Sequence, residues 1–169
     1  MAFRRAPRSK RRGAEPAERA DEPTAARATA VALLARRDLP SGELRDRLAA
    51  RGFGPEATAA ALDALAAEGA LDDERYAHNY VDYHAGRGRG PVRIGADLRA
   101  CGLSAEVIDA ALAEGPDWQA AAAAARVRRF GKAAPADWRE KARQARFLQY
   151  RGFSADHIRA ATGADPDTG

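Results

Sequence analysis

One fifteen-residue pattern occurs three times in this chain, without gaps, at a constant spacing of 50 residues. The copies are LAARGFGPEATAAAL from Leu48, LRACGLSAEVIDAAL from Leu98 and LQYRGFSADHIRAAT from Leu148. Leu48, Leu98 and Leu148 correspond, as do Gly52, Gly102 and Gly152, then Phe53, Leu103 and Phe153. Glu56, Glu106 and Asp156 follow, and then Thr58, Ile108 and Ile158. A recurring segment of this length is one supersecondary unit used repeatedly, so the fold must stack the same local solution three times.

Each repeated position has a physical reading. The Leu is the last core residue of a helix. The Gly follows that helix where a positive φ carries no Cβ strain, and the Phe or Leu after it closes the turn with an apolar contact. Ser104 and Ser154 then cap the next helix, and an acid two residues later complements its positive end. In the first copy Gly54 and Pro55 serve as N-cap and first helical residue. Each copy is therefore helix, glycine turn, helix.

Upstream of each pair there is room for one more helix, over about 25–37, 73–85 and 117–130. Apolar residues fall at helical spacing there and elsewhere: Tyr76, Tyr80 and Tyr83, or Thr58, Ala61, Leu62 and Leu65. No stretch alternates with a period of two. The predicted fold is all-α: three tandem three-helix repeats over 25–69, 70–115 and 116–163, forming an elongated, curved body. Residues 1–24 are expected to be a disordered basic tail and 164–169 a flexible C-terminus. The tail has three prolines and almost no large apolar side chain to offset its ordering entropy.

The sequence pI is about 9.6. Its source is local. The first 12 residues hold six of the 28 basic residues and no acid, which leaves 22 bases against 24 acids in the rest. Within the body, residues 126–151 carry nine bases and two acids, whereas 70–115 carry five bases and eight acids. A charge-polarised body with a basic tail suits an anionic or mixed-charge partner surface.

Several function classes are excluded or disfavoured. The one cysteine, Cys101, rules out an internal disulfide framework and a Cys-Cys metal site. No apolar run approaches the ~18 residues of a membrane span, and the N-terminus lacks the apolar stretch of a secretion signal. A cytoplasmic protein without membrane contact, cofactor or metal is expected. Asp72, Asp73, His78, Asp82 and His84 read as helix-start charges and a His78–Asp82 surface pair rather than as an acid–base site. No catalytic residue is expected, and the protein is read as a non-enzyme. Without a heptad or a large unpaired apolar face, it is expected to be a monomer.

With those residues in view, the chain resembles the RecX family of recombinase regulators. The resemblance covers roughly residues 28–163. It rests on ALLARRDLPSGELRDRLAARGF, LDDERYAHNYVDYHAGRGRGPVRIGADLRACGL and FLQYRGFSADHIRAAT, in this order and spacing. The middle segment is the most specific. The resemblance implies binding to the bacterial RecA recombinase in the helical groove of its nucleoprotein filament. It further implies damping of ATPase and strand-exchange activity, in DNA repair, recombination and SOS control. The third repeat departs from the pattern: Gln144 stands where the others have Leu44 and Ile94. That predicts a rotated helix, or one packed through Phe147 instead.

The candidate partner or DNA contacts are arginines and one lysine. Arg87 and Arg89 lie in the Gly-Arg-Gly-Arg-Gly-Pro turn, with Arg93 one helical turn on. Arg126, Arg128, Arg129 and Lys132 precede Arg139, Arg143 and Arg146, which share a helix face with Tyr150 nearby, and Arg151 follows. Arginine suits bidentate contacts with carboxylate or phosphate. Tyr76, Tyr80, Tyr83 and Trp118 are read as core rather than as base-stacking residues. The alternative reading is nonspecific DNA binding through helix-turn-helix-like pairs, weakly to single or double strands. Against it, the second helices begin GPEATAA, SAEVIDA and SADHIRA, small and acidic where a sequence reader needs Asn, Gln or Arg.

Overall fold

The computed structural model describes residues 22–163, and among these there are nine α-helices and no strand. Of the tail expected over 1–24, residues 1–21 lie outside the described residues, as does the C-terminus expected over 164–169. The helices are α1 Pro23–Leu34, α2 Ser41–Ala49 and α3 Pro55–Ala67; α4 Asp73–Gly86, α5 Pro91–Ala100 and α6 Ala105–Ala113; and α7 Trp118–Phe130, α8 Trp138–Arg151 and α9 Ala155–Thr162. Pro23 and Thr24, assigned to the tail from sequence, instead open α1, where a proline needs no backbone donor. That helix ends at Leu34 rather than at 37, and Leu39 and Pro40 then turn inward.

The three copies of the repeat have the same backbone. Gly52, Gly102 and Gly152 have φ of 87°, 85° and 88°. Each glycine N–H donates to a carbonyl three residues back, and each following Phe or Leu N–H reaches the leucine five residues back. Phe53 donates to Leu48 O at 3.3 Å, Leu103 to Leu98 O at 3.3 Å and Phe153 to Leu148 O at 3.1 Å. This pair of bonds is the Schellman motif, and it satisfies the carbonyls that a helix end leaves open. Ser104 and Ser154 accept from the backbone N–H three residues on, as helix caps do, and His157 completes a capping box with Ser154.

Each module has its own core. Leu44, Leu48 and Leu65 centre the first, Ile94, Leu98 and Ile108 the second, and Leu148, Phe153 and Ile158 the third. Each such side chain, fully buried, contributes roughly 1.5–3 kcal/mol. Every helix pair with more than marginal contact belongs to a single module. Tyr76 and Tyr80 pack half-buried on the second core, as expected, but Tyr83 points outward. Trp118 touches both the second and third cores and donates from Nε1 to Leu112 O at 3.0 Å.

The third module corrects one expectation. Its helix α8 is not rotated: Gln144 is buried, in register with Leu44 and Ile94. A buried amide must be satisfied. Gln144 Nε2 donates to Glu140 at 2.8 Å, and Gln144 Oε1 accepts from Arg126 at 3.3 Å. Phe147 packs as well, edge-on to Phe130 with centroids 5.3 Å apart.

The modules join through their second helices, head to tail. The start of α2 rests on the glycine turn after α5: a Cβ on Gly42 would lie 2.3 Å from Cys101 O. Beside it, Ser41 N–H donates to the Asp73 carboxylate of α4 at 2.8 Å. The start of α5 rests in turn on the end of α8. Gly90 N–H donates to Arg151 O at 2.8 Å and Val92 N–H to Gly152 O at 3.0 Å. A Cβ on Gly90 would lie 2.2 Å from Gly152 O, so only glycine lets these backbones meet. Free N–H groups at one helix start thus meet free carbonyls at another helix end, which suits both dipoles.

Candidate functional site

The joint between the second and third modules gathers much of the predicted basic set. Arg151, at the end of α8, reaches across it: Nε donates to Gly88 O at 3.0 Å and a guanidinium NH2 to Arg87 O at 2.7 Å. This fixes the Gly-Arg-Gly-Arg-Gly-Pro turn, where Gly88 has a φ of 75°. Two clefts flank Arg151. One, of about 260 Å³, is lined by Gly88, Ala125, Arg128, Arg129, Phe147 and Arg151. The other, of about 170 Å³, is lined by Arg89, Arg93, Tyr150 and Arg151.

The arginines around the joint have different duties. Arg89 pairs with Asp97 at 2.9 Å, and Tyr80 also donates to that carboxylate. Arg87 lies over the Tyr83 ring at 3.8 Å, and Arg93 over the Tyr150 ring at 5.6 Å. Among the described residues, Arg87, Arg93, Arg128, Arg129 and Arg151 pair with no acid. No acid neutralises these charges; Arg93, Arg128 and Arg151 donate in part to backbone carbonyls, and the remaining donors can meet an external carboxylate or phosphate.

Other members of the predicted set lie apart from this joint. Arg126 is a correction to the surface reading: it is buried and donates to Ala133 O at 3.0 Å as well as to Gln144. It holds the loop between α7 and α8, and its Nε has no partner. Arg143 pairs with Glu140 at 2.8 Å and stands over Phe130. Lys132, Arg139 and Arg146 are exposed, Arg139 beside the exposed Trp138. Leu48, Phe53, Leu98, Leu103, Leu148 and Phe153 are buried, and Gly52, Gly102 and Gly152 have positive φ.

The second module also holds the two histidines singled out from the sequence, His78 and His84. His78 pairs with Glu114 at 2.9 Å rather than with Asp82. Its pKa is raised, first by the hydrogen bond to Glu74 O and then by Glu114. The pKa of His84 is lowered by burial and by the nearby Arg89. Burial also pushes the Cys101 thiol up. Among the described residues no three His, Cys, Asp or Glu side chains converge as metal ligands do, and no helix is long and apolar enough to cross a membrane.

Sequence reading missed the floor of the larger cleft, Gly88, Ala125 and Phe147. It also missed the two glycines, Gly42 and Gly90, that allow the modules to touch.

Three family models match consecutive parts of the chain: the first three-helix domain of RecX over residues 26–65, the second over 72–112 and the third over 117–162. The regulatory protein RecX of Halorhodospira halophila is 50% identical over 141 residues, 83% of this chain and 88% of that protein. The regulatory protein RecX of Pseudomonas savastanoi pv. phaseolicola is 48% identical over 139 residues, covering 82% and 90%. The crystal structure of RecX from Lactobacillus salivarius aligns with a TM-score of 0.73 over 84% of this chain and 95% of its own, at 19% identity, a likeness of fold. Three matching modules in sequence order, and close relatives along most of their length, place the chain in one family: it belongs to the RecX regulatory proteins.

Proposed function

We propose that this protein regulates the RecA recombinase by binding its nucleoprotein filament and damping ATP hydrolysis and strand exchange. The observation that carries this reading is the basic joint: five arginines without an acid partner, on a turn and three helices, where backbone hydrogen bonds hold two modules together. A surface fixed before binding loses little freedom on association. It acts in the cytoplasm as a monomer, by contact and without a reaction of its own. Nonspecific DNA binding through the helix pairs is the weaker reading, because Glu56, Glu106 and Asp156 stand exposed at the helix starts that would approach phosphate.

Co-sedimentation tests the proposal. Filaments of RecA on single-stranded DNA should carry this protein into the pellet at concentrations where DNA alone does not. Equal recovery with DNA alone would contradict filament binding.

A further inference from the structure

We infer that the glycine turn after α2, Arg51-Gly52-Phe53, is a vacant socket for the glycine-led start of a helix in a partner protein. The inference stands independently of the filament reading. The chain builds this turn three times, and two copies are filled from within. At the second joint, Arg151 O and Gly152 O accept the N–H groups of Gly90 and Val92 at the start of α5. The Arg151 side chain clasps Arg87 O and Gly88 O just upstream. At the first joint, the turn at Gly102 receives the start of α2, with Gly42 against Cys101 O. The turn at Gly52 has the same parts and no occupant. Its φ of 87° matches the other two, and Arg51-Gly52-Phe53 repeats the triplet Arg151-Gly152-Phe153. Among the described residues nothing lies within 4 Å of a Cβ on Gly52, and no hydrogen bond reaches Arg51 O or Gly52 O. Arg51, the counterpart of Arg151, is exposed and folds back on Arg47 O at 2.7 Å.

The chemistry of the turn selects the occupant. Free carbonyls at a helix C-terminus are the negative end of its dipole, so they repel phosphate and attract N–H donors, which the start of another helix supplies. The residue at the contact must be glycine, because at the two filled joints a Cβ there would lie 2.2 and 2.3 Å from a carbonyl oxygen. In an array of repeats, an interface left open at one end is where a further unit can stack. A second copy of this chain does not supply that unit by continuing the series. Its Gly42 and Gly90 are engaged, and α8, next in order, opens on Trp138 with Asp137 as its cap and no glycine.

The test uses the isotope-labelled full-length protein and, as probe, an acetylated peptide of residues 86–100, the chain's own glycine-led docking element. Amide NMR signals of Arg51, Gly52 and Phe53 should shift saturably as the peptide is added. The same peptide carrying Gly90→Val should leave them in place. Arg51→Ala in the protein should weaken the peptide about tenfold, as loss of a charged donor to a carbonyl does. Unchanged thermal melting of that variant separates lost contact from lost fold. Signals at 51–53 that stay still at millimolar peptide would overturn the proposal, as would equal binding of the Gly90→Val peptide. Shifts confined to Gly90 and Gly152 would mean that the peptide invades the filled joint instead, and would also overturn it. Nuclear Overhauser contacts from residues 1–21 to Gly52 would give the turn to the chain's own tail. Concentration-dependent sedimentation abolished by Arg51→Ala would give it to a second copy. Either result refutes a partner protein as occupant.

Discussion

At the scale of single residues, identical backbone conformations have unequal consequences. Gly52 and Gly152 have nearly the same φ, 87° and 88°. Nothing lies within 4 Å of where a Cβ on Gly52 would sit, whereas one on Gly152 would lie 2.3 Å from Arg93 Cβ. Gly52→Ala should therefore cost about 1–2 kcal/mol, the strain of the left-handed region alone. Gly152→Ala should cost clearly more, because it also pushes the second module off the third. Urea unfolding midpoints of the two variants check this, and equal losses would contradict the packing described for the joint. The conformation was legible in the repeat. The difference was not, because it depends on Arg93, which is far from Gly152 in the chain.

At the scale of helices, the legible features were local. Caps, glycine turns and core leucines act within a few residues of one another, so their spacing encodes them. The register of α8 was not legible, because the acceptor side of Gln144 is satisfied by Arg126 from another helix. Gln144 looked out of place in an apolar position until Arg126 and Glu140 supplied its partners. Gln144→Leu restores the residue type of the other repeats, yet it leaves the buried guanidinium of Arg126 with one acceptor fewer. We expect it to destabilise the protein by about 1–3 kcal/mol. The double variant Gln144→Leu, Arg126→Leu should recover most of that loss. Thermal melts of both variants decide the matter; a stabilising single substitution would mean that the amide is dispensable.

At the scale of the molecule, the three modules are joined by unlike means. The second and third share backbone hydrogen bonds at Gly90 and Val92, and Arg151 reinforces them. The first leans on the second through Ser41 and the Asp73 carboxylate, with an exposed Arg75–Asp38 pair at 3.8 Å. Exposed pairs of that kind contribute little. Modules that contact mainly their neighbours open in steps set by these interfaces. Native-state hydrogen exchange should find the amide of Leu44 opening before those of Leu98 and Leu148, which should open together. A single opening free energy for all three would contradict the two-joint description. The sequence implied three modules and a family; the joints lay beyond it, since Arg151 meets Arg87 O across 64 residues.

The proposed regulator acts on a filament rather than on bare DNA. DNA-dependent ATP hydrolysis by RecA, titrated with this protein while occupancy of naked DNA is followed at the same salt, tests that most directly. Hydrolysis should fall at concentrations that leave the naked DNA largely free. A fall that merely tracks DNA occupancy, or no fall at all, would contradict it.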